Sequence, residues 1–326
     1  MLLDTFNRRH NYLRISLTDN CNLRCFYCIP DEGHQFMPSH KMMQAHEVEA
    51  LATSFVRLGV DKIRLTGGEP LVRRDAPEII KALAQLPVTL TLTTNGVRLH
   101  HFLPQLKEAG IGSLNISLDT PQPDKFAMIT RRNEFDRVWQ NIHAAVDAGL
   151  HVKVNVVAMK GVNEDEIMDF IGWTKNTPVH VRFIEFMPFD GNKWDSNKVL
   201  TYQQILHVVE SGYDVIKLKD GLNDTTKKYI VPGHVGTFAV ISTMTNPFCG
   251  TCNRIRLTAD GKMKNCLFSR NETDLLSALR NGEDLESLIR QTILNKHAAH
   301  GGQFTTALEK VDTDQIHNRS MIAIGG

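Results

Sequence analysis

Six times between Tyr12 and Val209, a short apolar run of strand length is followed by a helical pattern. That alternation restricts the fold more than any other feature of the chain. The strand-like runs are Tyr12–Leu17, Lys62–Thr66, Val88–Thr93, Leu114–Leu118, Val152–Val157 and Val181–Glu185. The helical patterns are Ala45–Leu58, Ala76–Leu86, Phe102–Ala109, Phe135–Ala148, Glu164–Lys175 and Thr201–Val209. Gly59, Gly110 and Gly149 supply helix stops, and Asp75 and Asn163 stand at N-cap positions. Successive βα units imply parallel strands joined by right-handed crossovers.

A doubly wound sheet and a barrel both satisfy this pattern, and the placement of polar residues favours the barrel. Catalytic groups on such barrels gather at the C-terminal ends of the strands. Three cysteines follow the first run, Gly67-Gly68-Glu69-Pro70 follows the second, and Thr93-Thr94-Asn95-Gly96 follows the third. Ser117 and Asp119 end the fourth run, and Glu185 and Met187 end the sixth. The expected fold is therefore α/β, a partial (βα)6 TIM-type barrel over residues 1–212. Residues 213–326 are expected to form a smaller C-terminal α+β extension. Its strand signals are Lys228–Val231, Thr237–Ser242, Arg254–Thr258 and Lys262–Cys266, with Asp260-Gly261 as a hairpin turn. Helical stretches Asp274–Arg280 and Leu285–Lys296 follow.

Bulk properties narrow the function. The 326 residues carry a formal net charge of +1, with 42% hydrophobic and 22% charged residues. A globular protein without a global nucleic-acid footprint is expected. No apolar run approaches a membrane span, and Met1 to His10 is polar, so no membrane association and a cytoplasmic location are expected. In that compartment six cysteines point to metal or redox chemistry rather than structural disulfides.

Cys21, Cys25 and Cys28 form a CxxxCxxC run. Three thiolates in one loop suit a [4Fe–4S] cluster with one iron left open, whereas structural zinc wants four ligands. A zinc knuckle completed by His34 or Asp31 is the alternative. The run, with an aromatic residue before its third cysteine, resembles the cluster motif of the radical S-adenosylmethionine (SAM) superfamily. Gly67-Gly68-Glu69-Pro70 is similar to that superfamily's SAM-binding motif. The likeness implies that the open iron chelates SAM and that reduction of the cluster cleaves it to a hydrogen-abstracting 5′-deoxyadenosyl radical. It also implies an external electron donor.

A second trio follows: Cys249 and Cys252 as CxxC, then Cys266 after thirteen intervening residues. Spacing alone leaves open a second cluster with a free iron, or a zinc or fully ligated cluster completed by His234. Arg254 and Arg256 lie at alternate positions of an expected strand and so share a face. Two guanidiniums beside a metal site suit a polyphosphate. The stretch from Cys249 to Cys266 resembles the C-terminal motif of the GTP 3′,8-cyclase family. Leu13 to Asp19 resembles that family's opening, and Gly325-Gly326 its tail.

This resemblance covers essentially the whole chain. It implies two [4Fe–4S] clusters, on Cys21, Cys25 and Cys28 and on Cys249, Cys252 and Cys266. It implies GTP contacts from Arg14, Arg64, Thr93, Lys153, Arg254, Ile255 and Arg256, with guanine at the second cluster. SAM contacts would come from Tyr27, Gly68, Ser117 and Met187. Arg254, Arg256, Gly325 and Gly326 would serve catalysis. The implied reaction takes hydrogen from C3′ of GTP, joins C3′ to C8, and hands the product to cyclic pyranopterin monophosphate synthase. A homodimer is also implied. The competing expectations are another radical SAM enzyme with auxiliary clusters, such as a peptide-maturing type, and a zinc-binding interaction protein.

Overall fold

The computed structural model describes residues 1–29, 35–304, 311 and 316–325. In chain order the strands are β1 (Tyr12–Ser16), β2 (Lys62–Thr66), β3 (Thr89–Thr94), β4 (Ser113–Ser117), β5 (His151–Ala158) and β6 (His180–Glu185). Then come β7 (Ile216–Lys217), β8 (Lys227–Ile230), β9 (Thr237–Ile241), β10 (Arg254–Leu257), β11 (Lys262–Lys264) and β12 (Thr273–Asp274). The helices of the repeating units are α1 (Ala45–Arg57), α2 (Ala76–Leu83), α3 (Leu103–Glu108), α4 (Pro123–Thr130), α5 (Phe135–Asp147), α6 (Ile167–Trp173) and α7 (Tyr202–Glu210). Later in the chain lie α8 (Leu275–Arg280), α9 (Leu285–Leu294) and α10 (Met321–Ile324).

Among the described residues, these twelve strands form one sheet, ordered β12-β11-β10-β1-β2-β3-β4-β5-β6-β9-β8-β7. The run from β10 through β6 to β9 is parallel throughout. Antiparallel pairs β11–β12 and β8–β7 flank it. The expected parallel sheet of barrel type is present, and hydrogen bonds do not close it into a ring. Strands from beyond residue 212 continue it at both edges, β10 against β1 and β9 against β6.

Alternation within the strands sorts the two faces. Leu13 and Ile15 of β1, and Val152, Val154 and Val156 of β5, are buried on the helix-covered face. Arg14, Lys153 and Asn155 take the opposite face, which lines a cavity. A smaller apolar cluster of Met159, Phe186, Phe189, Trp194, Val199, Met244, Phe268 and Ile324 ties α10 to loops at the mouth of the sheet.

Local readings need three corrections. Asp75 occupies the N-cap position of α2, yet its carboxylate pairs with Arg73 instead of capping. Asn163 likewise leaves the helix uncapped. Its side chain bonds the Met159 N–H and the carbonyls of Asp119 and Val157, bracing the loop after β5. The expectation also lacked α4, a helix begun by Pro123 and too short to show a full apolar stripe. At Asp260-Gly261 the hairpin turn is present, with Gly261 at φ 70° and its N–H on the Thr258 carbonyl.

Candidate active site

The loop after β1 carries Cys21, Cys25 and Cys28, all free and partly buried. The Gly67-Gly68 loop after β2 docks against it. The Gly68 N–H donates to Thr18 O at 2.6 Å, and the Glu69 N–H to Asn20 O at 2.8 Å. A Cβ at Gly68 would lie 2.5 Å from Asn20 O and 2.6 Å from Asp19 O. These glycines therefore first serve close approach between two protein loops, a requirement that spacing did not disclose.

The trio borders a cavity of about 200 Å³, also lined by Tyr27, Gly68, Ser117 and Met187. All four expected SAM contacts meet there. Asp119, missed as a site residue, accepts from Tyr27 Oη at 2.7 Å and from the Val157 N–H at 2.8 Å. Burial pushes its carboxyl up to about 6. Burial also raises Glu69 to about 7, although its carboxylate accepts from Thr94 Oγ1, Asn95 N and Leu71 N. Asn95 is a further lining residue, with its amide 3.6 Å from Cys21 Sγ.

Next to it lies a cavity of about 580 Å³ that shares the walls Asn155, Ile184, Met187 and Met321 with the first. Among the described residues its cations are Arg14, Lys62, Arg64, Lys153, Arg182, Lys228, Arg254 and Arg256, and its one carboxylate, Asp224, is paired with Lys228. Among the described residues, none of Arg14, Arg64, Lys153, Arg182, Arg254 and Arg256 is paired with a carboxylate. Strand register explains the concentration. Arg256 of β10 sits opposite Arg14 of β1, which sits opposite Arg64 of β2. Two residues earlier on each strand, and so on the same face, Arg254, Tyr12 and Lys62 form a second row.

Like charges abreast on adjacent strands destabilise a sheet unless an anion compensates them. The titration of the side chains reflects this crowding. Burial, Arg182 and Arg64 push Lys153 down to about 8. Burial and the neighbouring Arg64 and Arg254 lower Arg14 to about 10. Burial opposes ionisation of Tyr12, yet Arg64 and Arg14 prevail and bring its phenol down to about 7. Arg14 Nε, Arg182 Nε and Asn115 Oδ1 are buried without a hydrogen-bond partner among the described residues. A large anion is the group that fits.

At the far end, Cys249, Cys252 and Cys266 ring a cavity of about 70 Å³, which shares Thr243, Phe248, Arg254, Arg256 and Leu267 with the basic cavity. Arg254 lies over the Phe248 ring, 4.5 Å from its centroid. Cys252 is lowered to about 6, because Arg254 and Lys296 outweigh its burial. His234, the candidate fourth ligand, instead bonds Thr174 and faces Tyr213, away from this ring. His34 and Asp31 lie outside the described residues.

Both trios pass one geometric test. The thiols of each trio are close enough to perturb one another's ionisation. Yet no three His, Cys, Asp or Glu side chains among the described residues converge as ligands of a single ion. By donor set alone, three thiols bordering one cavity suit a cluster held by three cysteines, whereas a structural zinc wants four ligands.

Other expected contacts fall less simply. Thr93 lines the first cavity and meets the basic one through Arg64, whose Nη1 donates to its hydroxyl at 3.4 Å. Ile255 is wholly buried in the core between the two arginines, which leaves only its main chain toward the cavity. Gly325 is reached by Arg256, whose Nη1 donates to its carbonyl at 2.6 Å. Gly326 lies outside the described residues. Lys62, Arg182, His151 and His180 were missed, although charge on inner strands was the available signal. Glu185 is taken up by structure, accepting from the main chain of Tyr202, Met244 and Thr245.

The class follows from this arrangement. Residues 15–174 match the radical SAM superfamily, and residues 179–302 match a family described as Molybdenum Cofactor Synthesis C. Superfamily membership implies SAM and one [4Fe–4S] cluster. The chain belongs to the GTP 3',8-cyclase family. It is 47% identical to the mitochondrial GTP 3',8-cyclase of Arabidopsis thaliana, over 100% of this chain and 84% of that one. It is 46% identical to Molybdenum cofactor biosynthesis protein 1 of Mus musculus, over 99% of this chain. The chain spans about half the length of that mouse protein, 51%. A crystal structure of Streptococcus suis SuiB bound to S-adenosylmethionine shares the fold, with TM-score 0.64 at 14% identity, covering 97% of this chain and 77% of that one. No described helix is long and apolar enough to cross a membrane.

Proposed function

We propose that this chain converts GTP to (8S)-3′,8-cyclo-7,8-dihydroguanosine 5′-triphosphate, the first step of molybdenum-cofactor biosynthesis, releasing methionine and 5′-deoxyadenosine. One observation carries the reading. The row Arg256–Arg14–Arg64 lies in a basic cavity that adjoins a three-thiol cavity at each end. A nucleoside triphosphate has the charge and the length for that space.

Two [4Fe–4S] clusters belong to the reading, one on Cys21, Cys25 and Cys28, the other on Cys249, Cys252 and Cys266. When bound, the first would supply the electron that cleaves the SAM sulfonium bond, and the second would offer an iron to the guanine base. The chain's own residues bind and orient. Tyr27, held by Asp119, forms a wall for SAM with Gly68, Ser117 and Met187. Arg14, Arg64, Lys153, Arg254 and Arg256, joined by Lys62 and Arg182, hold the triphosphate. Each charge-assisted contact is worth about 1.5–3 kcal/mol, so guanosine binds far more weakly than GTP. Phe186, Phe189 and Met321 keep water from the reacting carbons. Arg254, Arg256, Gly325 and Gly326 set the ribose and base for closure of the C3′–C8 bond.

The family likeness also supports an external one-electron donor, a homodimer, and hand-over of the product to cyclic pyranopterin monophosphate synthase. The test is an anaerobic assay with reductant, SAM and each nucleoside triphosphate. A cyclised nucleotide and 5′-deoxyadenosine are expected with GTP alone. No cyclised product from GTP, or equal affinity for GTP and guanosine, would overturn the reading.

A further inference from the structure

Behind the second trio, away from the basic cavity, lies a connected set of buried ionisable groups. Asp4, Arg8, His10 and Lys296 are all less than a tenth exposed. Arg8 Nε pairs with Asp4 at 2.6 Å. Its Nη1 donates to Cys249 O at 2.8 Å and Ala298 O at 2.7 Å, and its Nη2 to His297 O at 2.8 Å. One guanidinium thus pins the start of the CxxC turn to the segment after α9. Lys296 follows in that segment. Its ammonium donates to Arg254 O at 3.0 Å and reaches Cys252 Sγ at 3.5 Å.

His10 connects the two halves. Nε2 lies 3.0 Å from Asp4, and Nδ1 lies 3.5 Å from Lys296. Burial, then Lys296, pushes this imidazole down to about 4, so the ring is neutral at pH 7. Its partners assign the tautomer: Nε2–H donates to the Asp4 carboxylate, and bare Nδ1 accepts from the ammonium. A buried ammonium is costly unless each of its donors is met. Here a carbonyl, an imidazole nitrogen and a thiol sulfur meet them.

We propose that Lys296 is a positioning residue that tunes the second cluster, its ammonium held by Asp4–His10 so that it donates to the Cys252 thiolate. The inference rests on the two-cluster reading above. A cation hydrogen-bonded to a ligand sulfur stabilises the more negative, reduced cluster and so raises its reduction potential. Lys296 lines neither the basic cavity nor the first thiol cavity, so its effect on substrate runs through the iron.

The experiment uses the full chain with the first trio disabled by Cys25→Ser, so that one cluster remains. Midpoint potential is followed by EPR during a redox titration, with iron counted per chain. In that background Lys296→Met keeps its iron, its reduction equilibrium constant falls about tenfold, a negative shift of about 59 mV for one electron, and the reduced-cluster EPR spectrum changes. Lys296→Arg retains most of the potential. Asp4→Asn shifts it the same way by less. An unchanged potential in Lys296→Met with iron intact overturns the inference alone. Iron loss in Lys296→Met and Lys296→Arg alike also overturns it, because shape and not charge would then hold the site. Absence of iron from the Cys25→Ser chain before any change at Lys296 overturns the two-cluster reading and this inference together.

Discussion

Arg256, buried on β10, donates through Nη1 to the carbonyl of Gly325 at 2.6 Å. The contact joins a cation of the Arg256–Arg14–Arg64 row to a segment 69 residues further along. Gly325 sits at φ 86°, and a Cβ there would lie 2.7 Å from Thr66 Oγ1 and 2.9 Å from Ser16 Cβ. Only glycine brings its carbonyl this close.

Gly325→Ala should therefore leave folding and iron content intact while displacing Arg256. Strain of about 1–3 kcal/mol at that backbone corresponds to a loss of roughly tenfold or more in cyclised product. Product formation per iron, measured anaerobically, checks this. Unchanged turnover would make the segment a mere terminus.

The two trios should be separable. Cys25→Ala is expected to lose SAM cleavage and keep about half the iron, as two equal clusters require. Cys252→Ala should retain some formation of 5′-deoxyadenosine but make no cyclised nucleotide. Full iron content in Cys252→Ala would contradict the assignment of the second site.

Nucleotide affinity should fall as pH rises through the neutral range and above. Lys153 at about 8 must be protonated to hold phosphate, and Tyr12 at about 7 adds a negative charge when it ionises. Both changes weaken an anion as pH increases. Equilibrium binding of GTP across this range, with Lys153→Met and Tyr12→Phe alongside, checks it. Each variant should flatten part of the profile, and a profile unchanged in both would refute the role of the cavity charges.

Gly68→Ala should damage the first trio without touching a cysteine. The new Cβ meets main-chain oxygens at 2.5 and 2.6 Å, which cannot rotate away. A stability loss of about 1–3 kcal/mol is expected, with iron loss confined to the first site. Thermal unfolding and iron counting read both effects, and normal values would show that the two loops need no such close approach.

The repeated βα pattern alone disclosed the parallel sheet, because period and glycine stops are local properties of consecutive residues. Cys21, Cys25 and Cys28, and the Arg254/Arg256 pair, were legible for the same reason. So was the rim on which the polar residues gather. Register and edge pairing were not. Nothing in the run Arg254 to Leu257 announces that it lies beside Tyr12 to Ser16, since that choice is made by burial of Ile255 and Leu257 against Leu13 and Ile15 across more than two hundred residues. That pairing aligns Arg256, Arg14 and Arg64 into one row and turns scattered charges into an anion site. Arg182 and Lys62 stayed hidden because a charge on a strand gains meaning only once its face is known. Lys296 and His10 stayed hidden because they meet each other across 286 residues, and their remaining partners are the Asp4 carboxylate, a main-chain oxygen and a distant sulfur. Local sequence determined the elements and the cysteine chemistry. Tertiary packing decided which charges share a cavity, because non-local contacts alone bring them within a few ångströms.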